Sequence, residues 1–393
     1  MKTNKELVRE FKTSTLWTVA LTLVFLLLYG PKNMVLDMAI ALPFFLVFYF
    51  SFFAIGKPEV TIWMRNRIDS DIRKVILFPA FLLILYFLYV LINGENPYHG
   101  TLALVPYLIF FPVLIFAASR RTTGKIDWLD FTAFVIYLLP TTLIEVNPTG
   151  ELPFKGEGFD SLYRIILILS AVYAFGTVRG LKDIGFYPEI NLKNLWTAIW
   201  VWFAFYVFVL IIGFNVNFIR FVGHDVIDKV LINKIVVTVI ATFLHTAIFE
   251  ELFFRGILQN MLVKRIGQSE SWKIFWKWGF ALSIPAALLV GYTLKGGLQW
   301  FPALMTIGLF IAAFFIEKSK KHPSGMYTGL AITSTIFGLV HYHSHAIIYI
   351  GFACIAGWAY GYTYLKTKNV FYSAIVHTLV NTSVLIFGFE FIK

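Results

Sequence analysis

Long apolar runs, each of about 17–25 residues, recur along almost the whole chain and are separated by short segments that hold most of its lysines and arginines. A run of that length crosses the hydrocarbon core of a bilayer as a helix. Lipid offers no partner to a backbone N–H or C=O, so a spanning segment must satisfy them internally, and strands are not expected. The chain is 59% hydrophobic and only 14% charged, against about 45–50% and about 25% for a soluble domain. The expected class is therefore all-α: a polytopic integral membrane helical bundle of about 13 transmembrane helices. Crossings are expected near 14–30, 35–55, 74–93, 101–119, 128–146, 160–178, 195–214, 230–262, 274–293, 298–316, 326–342, 345–364 and 370–390.

The formal net charge of +11 does not point to nucleic acid, because the basic residues lie between spans and not on one face. The first basic segment (Lys2, Lys5, Arg9, Lys12) and the run Leu16 to Leu28 resemble a signal peptide, but no small-residue cleavage site follows, and a retained first span is expected. Cys354 is the single cysteine and excludes both an internal disulfide and a cysteine metal cluster. Basic residues alternate between rich segments (Lys57 to Lys74, Arg120 to Lys125, Arg179 to Lys193, Lys264 to Lys273, Lys318 to Lys321, Lys366 with Lys368) and poor ones (Lys32, Lys155, Arg220, Lys229, Lys295, Lys393). Because basic loops favour the cytoplasmic side, a multi-pass cell-membrane protein is expected, its N-terminus cytoplasmic and its C-terminus extracytoplasmic. Glu145, Arg164 and Lys234 fall near span ends and are read as snorkelling side chains. The polar stretch Arg179 to Lys193 divides the chain. Residues 1–178 are expected to form a six-span membrane domain without a buried polar cluster. Residues 179–393 are expected to hold the chemistry.

That chemistry is legible as three polar islands in apolar sequence. Glu250, Glu251 and Arg255 lie within the eighth run, His341 closes Phe337-Gly338-Leu339-Val340-His341, and His377 and Asn381 stand four apart in the last run. Ionisable groups at membrane depth cost at least a few kcal/mol each and mark functional sites by default. By helix rise, Glu250, His341, His377 and Asn381 fall about 12–24 Å from the inner edge, in one slab. Glu251 and Arg255 are one turn apart and able to pair, whereas Glu250 is rotated about 100° from Glu251. Two carboxylates, two imidazoles, an amide and a guanidinium are the parts of a hydrolytic site. His245, His343 and His345 are read as core or interfacial histidines. A His343/His345 metal pair is a competing reading.

The three islands match, in order, the EExxxR, FxxxH and HxxxN motifs of the CPBP family (CAAX proteases and bacteriocin-processing enzymes, also called Abi), and the chain resembles that family over roughly Arg179 to Phe391. Lys182-Asp183-Ile184-Gly185-Phe186 is similar to the segment preceding the family's core. The resemblance implies a CPBP-type intramembrane endopeptidase acting on a membrane-associated peptide or lipidated protein: a prenylated protein, a peptide pheromone or a bacteriocin leader. By motif position it assigns Glu250 and His341 to water activation, His377 and Asn381 to the oxyanion, and Glu251 and Arg255 to support. Glu250, His341 and His377 have the donor atoms for Zn²⁺, and metal-dependent and metal-free hydrolysis both stay open. The chain departs from the family in two extra spans near 274–316, between the first two motifs. The alternative reading is a non-proteolytic CPBP-like scaffold that regulates a membrane partner. A transporter would show inverted repeats, and none is found.

Overall fold

The computed structural model describes residues 2–29, 35–92, 101–119, 124–139, 151–152, 160–224, 226–269, 271–294, 297–344 and 346–392. Glu145, Lys155 and His345 lie outside the described residues, as does the side chain of His343. Helix makes up 83% of the structure. Among the described residues seven helices are long and apolar enough to cross a membrane, and one further candidate pair, Ala39–Ala54 with Pro58–Ser70, is bent by 93° at its break. The helices over Met326–Leu339 and Ile347–Thr367 are not among these seven. Contrary to the expectation of no strands, two antiparallel two-stranded ribbons occur: β1 (Glu151–Leu152) with β2 (Asp160–Ser161), and β3 (Ile219–Phe221) with β4 (Phe389–Phe391). They lie in segments joining or following helices, where each strand pairs with its partner and is not required to span lipid.

The chain divides into two compact units. The first comprises 1–124, 128–189 and the short stretch 244–252. Its helices are α1 (Lys2–Tyr29), α2 (Val35–Ala54), α3 (Pro58–Ser70), α4 (Leu77–Ile92), α5 (Thr101–Ser119), α6 (Trp128–Leu139) and α7 (Leu162–Val178). Nearly every residue of α7 is buried, which makes it the unit's central helix. Two buried polar contacts occur in this unit. Arg179, 5% exposed, grips Asp130, 1% exposed, through Nε at 2.5 Å and Nη2 at 3.0 Å. Lys57 is also buried, donating to the Glu10 carbonyl at 3.1 Å and to the Thr13 hydroxyl. The Glu10 carboxylate in turn accepts from the N–H groups of Glu59 and Val60, capping the start of α3, whose first-turn donors have no partner within the helix. A basic residue that the sequence places in a loop is thus part of the elbow between α2 and α3.

The second unit comprises 125–127, 190–243 and 253–393. Its helices are α8 (Leu192–Asn215), most of α9 (Lys229–Gly267), α10 (Trp272–Thr293), α11 (Phe301–Ser319), α12 (Met326–Leu339), α13 (Ile347–Thr367) and α14 (Val370–Phe387). Side chains set several of the starts. Asn191 accepts from Lys193 and Asn194, Asp228 from Leu231, and Asn369 from Phe371, each satisfying a donor that the first helical turn leaves open. Glu317 at the end of α11 accepts from the N–H of Tyr327 at 2.7 Å and so starts α12. Helices in lipid associate by close packing and not by hydrophobic exclusion, so small residues mark their contacts. Accordingly α10 and α11 pack on α12 and α13 through Ala313, Ala331 and Cys354, with Trp276 donating to the Phe310 carbonyl at 2.8 Å.

Candidate active site

The first motif lies on α9, a continuous helix of 39 residues. It is regular except for two π-helical runs, Thr242–Ala247 and Leu252–Gln259, which flank the single α turn Ile248–Glu251. Such widened turns rotate the residues beyond them and collect at functional sites. Glu250 is half-buried and Glu251 fully buried, both within the stretch grouped with the first unit. In that unit Arg164, on α7, donates through Nη1 to the carbonyl of His245 at 2.6 Å and lies 5.3 Å from the ring centre of Phe249. Arg164 is therefore not a snorkelling residue at a span end. It reaches inward to a carbonyl in the first π run and to the ring beside Glu250.

Arg255 belongs to the second unit and is 1% exposed. Its Nη2 donates to the carbonyl of Gly357 at 3.2 Å, and four residues on, Gln259 Nε2 donates to the carbonyl of Gly361 at 3.1 Å. Two side chains on α9 thus bind two carbonyls of α13 at the same spacing. Glycine at the second acceptor allows it: a Cβ on Gly361 would stand 2.4 Å from Gln259 Oε1. The Arg255 guanidinium also lies 4.2 Å from the ring centre of Phe337 and 5.2 Å from that of Tyr360. Cation–π contacts of this kind help to hold a charge out of water.

Phe337 and Tyr360 are where the other two motifs meet. His341 follows the last turn of α12, and its ring lies 4.8 Å from that of Phe337. Its Nδ1 donates to the Phe337 carbonyl at 2.7 Å. His377, 2% exposed, stacks on Tyr360 with ring centres 4.5 Å apart and planes at 13°, and meets Phe337 edge-on at 5.8 Å. His341, His377 and Asn381 line one cavity of about 310 Å³, whose remaining walls include Phe205, Tyr206, Phe218, Phe337, Phe352 and Tyr360. Three polar side chains in an aromatic and aliphatic shell fit a site that binds an apolar ligand and acts on one polar group of it.

Two of the three sequence islands, 36 residues apart between His341 and His377, are therefore brought together. Arg255 braces two walls of their cavity without lining it, and Glu250 and Glu251 are not among its lining residues. Sequence reasoning missed Gln259 and Tyr360, neither of which carries a motif. Phe337, the first residue of FxxxH, packs against both His341 and Arg255. Among the described residues no group of three or more His, Cys, Asp or Glu could hold a metal ion.

Residues 232–323 and 313–383 match the family described as Type II CAAX prenyl endopeptidase Rce1-like. The first segment holds EExxxR and the second holds FxxxH and HxxxN. No curated protein and no solved structure matches the chain. At the family level the match supports a CAAX-type intramembrane endopeptidase. Over its C-terminal region, then, the chain matches the Rce1-like type II CAAX prenyl endopeptidases, consistent with the CPBP resemblance of its three motifs.

Proposed function

We propose that this protein is a multi-pass intramembrane endopeptidase of the CAAX type, cleaving a peptide bond in a lipidated or otherwise membrane-associated substrate. The observation that carries the reading is the convergence of His341, His377 and Asn381 on one largely apolar cavity, in the region that matches the family. In this reading Glu250 and His341 together hold a water, and one of them takes its proton as the water attacks the scissile carbonyl. His377 and Asn381 donate to the oxygen as it becomes anionic, where fixed donors lower the barrier most. The C–N bond then breaks and the proton passes to the leaving amine. Glu251 and Arg255 pair to hold the first motif in place.

The membrane frame belongs to the same proposal: about thirteen crossings in the cell membrane, N-terminus cytoplasmic, with six spans in residues 1–178 and the catalytic region in 179–393. The alternation of basic and base-poor loops supports it. In intact cells an impermeant thiol reagent should label a cysteine placed at Lys155 and spare one at Lys125 or Lys320. Labelling at Lys320 would overturn the arrangement.

The function is tested by reconstituting the full chain in liposomes with a farnesylated peptide ending in Cys-Val-Ile-Met. Release of the terminal tripeptide by the wild type and not by Glu250→Gln is the expected result. Equal release by both would remove Glu250 from the mechanism.

A further inference from the structure

The cavity with the two histidines is walled in part by the β3–β4 ribbon: Ile219 and Phe391 line it, as does Phe218 just before β3. Ile219 stands opposite Phe391, Arg220 opposite Glu390, and Phe221 opposite Phe389. The N–H of Val222 donates to the Gly388 carbonyl, and that of Ile392 to the Phe218 carbonyl. In an antiparallel pair, opposed residues alternate between those that bond across the ladder and those that turn their N–H and C=O away from it. The two end bonds therefore make Arg220 and Glu390 the bonded pair between them. Phe389 and Phe391 consequently aim their main-chain groups outward from β4, as Ile219 and Phe221 do from β3. On the β3 edge Ile219 is 3% exposed and Phe221 66%; on the β4 edge Phe391 is 40% exposed. Among the described residues this sheet has two strands and no more. An ion pair between Arg220 and Glu390 at 2.5 Å holds the ribbon without lining the cavity.

A peptide bond within an intact helix is poorly accessible, because its carbonyl is bonded to the next turn and side chains surround it. A substrate must unwind, and each N–H or C=O it then exposes in apolar surroundings costs several kcal/mol unless it finds a partner. The walls around the polar trio are almost all aromatic or aliphatic and offer few partners. An open strand edge offers donors and acceptors at the spacing of an extended peptide. Resting on the endopeptidase reading, we propose that the outer edge of β4, at Phe389 and Phe391, binds the substrate as a third strand and so holds the neighbouring peptide bond extended beside His341, His377 and Asn381. Recognition by this edge is through the main chain and independent of the substrate's side chains.

Proline at 391 removes the outward N–H but none of the ladder bonds. With the reconstituted full chain and the farnesylated peptide above, Phe391→Pro should raise KM about tenfold more than Phe391→Leu does, the scale of one lost main-chain hydrogen bond, with kcat changed by less than about threefold. Replacing single amides of the peptide by esters should raise KM for the wild type at one or two positions, and this readout needs no variant to fold. Wild-type cleavage with equal KM in the proline and leucine variants, or with no sensitivity to any ester, would overturn the strand-addition proposal alone. No cleavage by the wild type would overturn the endopeptidase reading and the docking edge with it.

Discussion

His341 donates its Nδ1 hydrogen to the carbonyl oxygen of Phe337, four residues earlier in the chain, across 2.7 Å. A carbonyl only accepts, so the neutral imidazole carries its hydrogen on Nδ1 and its lone pair on Nε2. The FxxxH spacing thereby gains a physical meaning: it fixes the tautomer that leaves Nε2 able to take a proton. His341→Gln is expected to lower kcat by about 10²–10⁴, the worth of a positioned general base. Its effect on thermal unfolding should be small, since the side chain is only half-buried. Turnover within tenfold of wild type would exclude His341 as a base.

His377 is held rigidly by its stack on Tyr360, and Asn381 follows one turn later on α14. If both donate to the developing oxyanion, Asn381→Ala and His377→Ala should each cost about 10²–10³ in kcat with little change in KM. A pure KM effect in steady-state kinetics would reassign them to ground-state binding.

Arg255 is buried under Phe337 and Tyr360 and tied to the Gly357 carbonyl. Arg255→Ala should destabilise by about 3–5 kcal/mol, the usual cost of breaking a buried charged network. Arg255→Lys should recover only part of that, because an ammonium cannot lie flat against the rings while keeping the carbonyl bond. Melting in detergent reads both variants, and an unchanged Tm in Arg255→Ala would contradict the bracing role.

Gly338, inside the same motif, lets α12 and α13 touch. A Cβ there would lie 2.1 Å from Cys354 Sγ and 2.7 Å from the Cys354 nitrogen, which is backbone and cannot swing away. Gly338→Ala should therefore cost about 1–3 kcal/mol by overpacking and lower activity as well, because His341 stands three residues on. Wild-type activity and Tm in this variant would show that the helices do not pack so closely.

The three motifs were legible because each is a polar group in apolar sequence, where its cost is plain from composition alone. The helical class was legible for the same reason. What the sequence could not show are relations between distant segments. Arg179 and Lys57 read as loop charges, yet one pairs with Asp130 across 49 residues and the other binds the main chain of α1. Gln259 and Tyr360 carry no motif, and their roles exist only because α9, α12, α13 and α14 converge. The π runs escaped notice because apolar periodicity cannot separate an α turn from a slightly wider one. Glu250 and Glu251 lie in the α turn Ile248–Glu251, where successive residues stand about 100° apart. From Leu252 onward the turns widen, so the one-turn relation of Glu251 to Arg255 is a looser guide there. The ribbon beside the cavity was missed because each of its strands is only three residues long.

The proposed endopeptidase activity requires both Glu250 and His341. The most direct measurement is a comparison of peptide termini in membranes of cells expressing the wild type or Glu250→Gln at equal levels. The expected result is a set of new termini on membrane-associated or lipidated proteins that is present with the wild type, lost in Glu250→Gln and lost equally in His341→Gln. Identical termini in all three membranes would contradict it and leave the scaffold reading in its place.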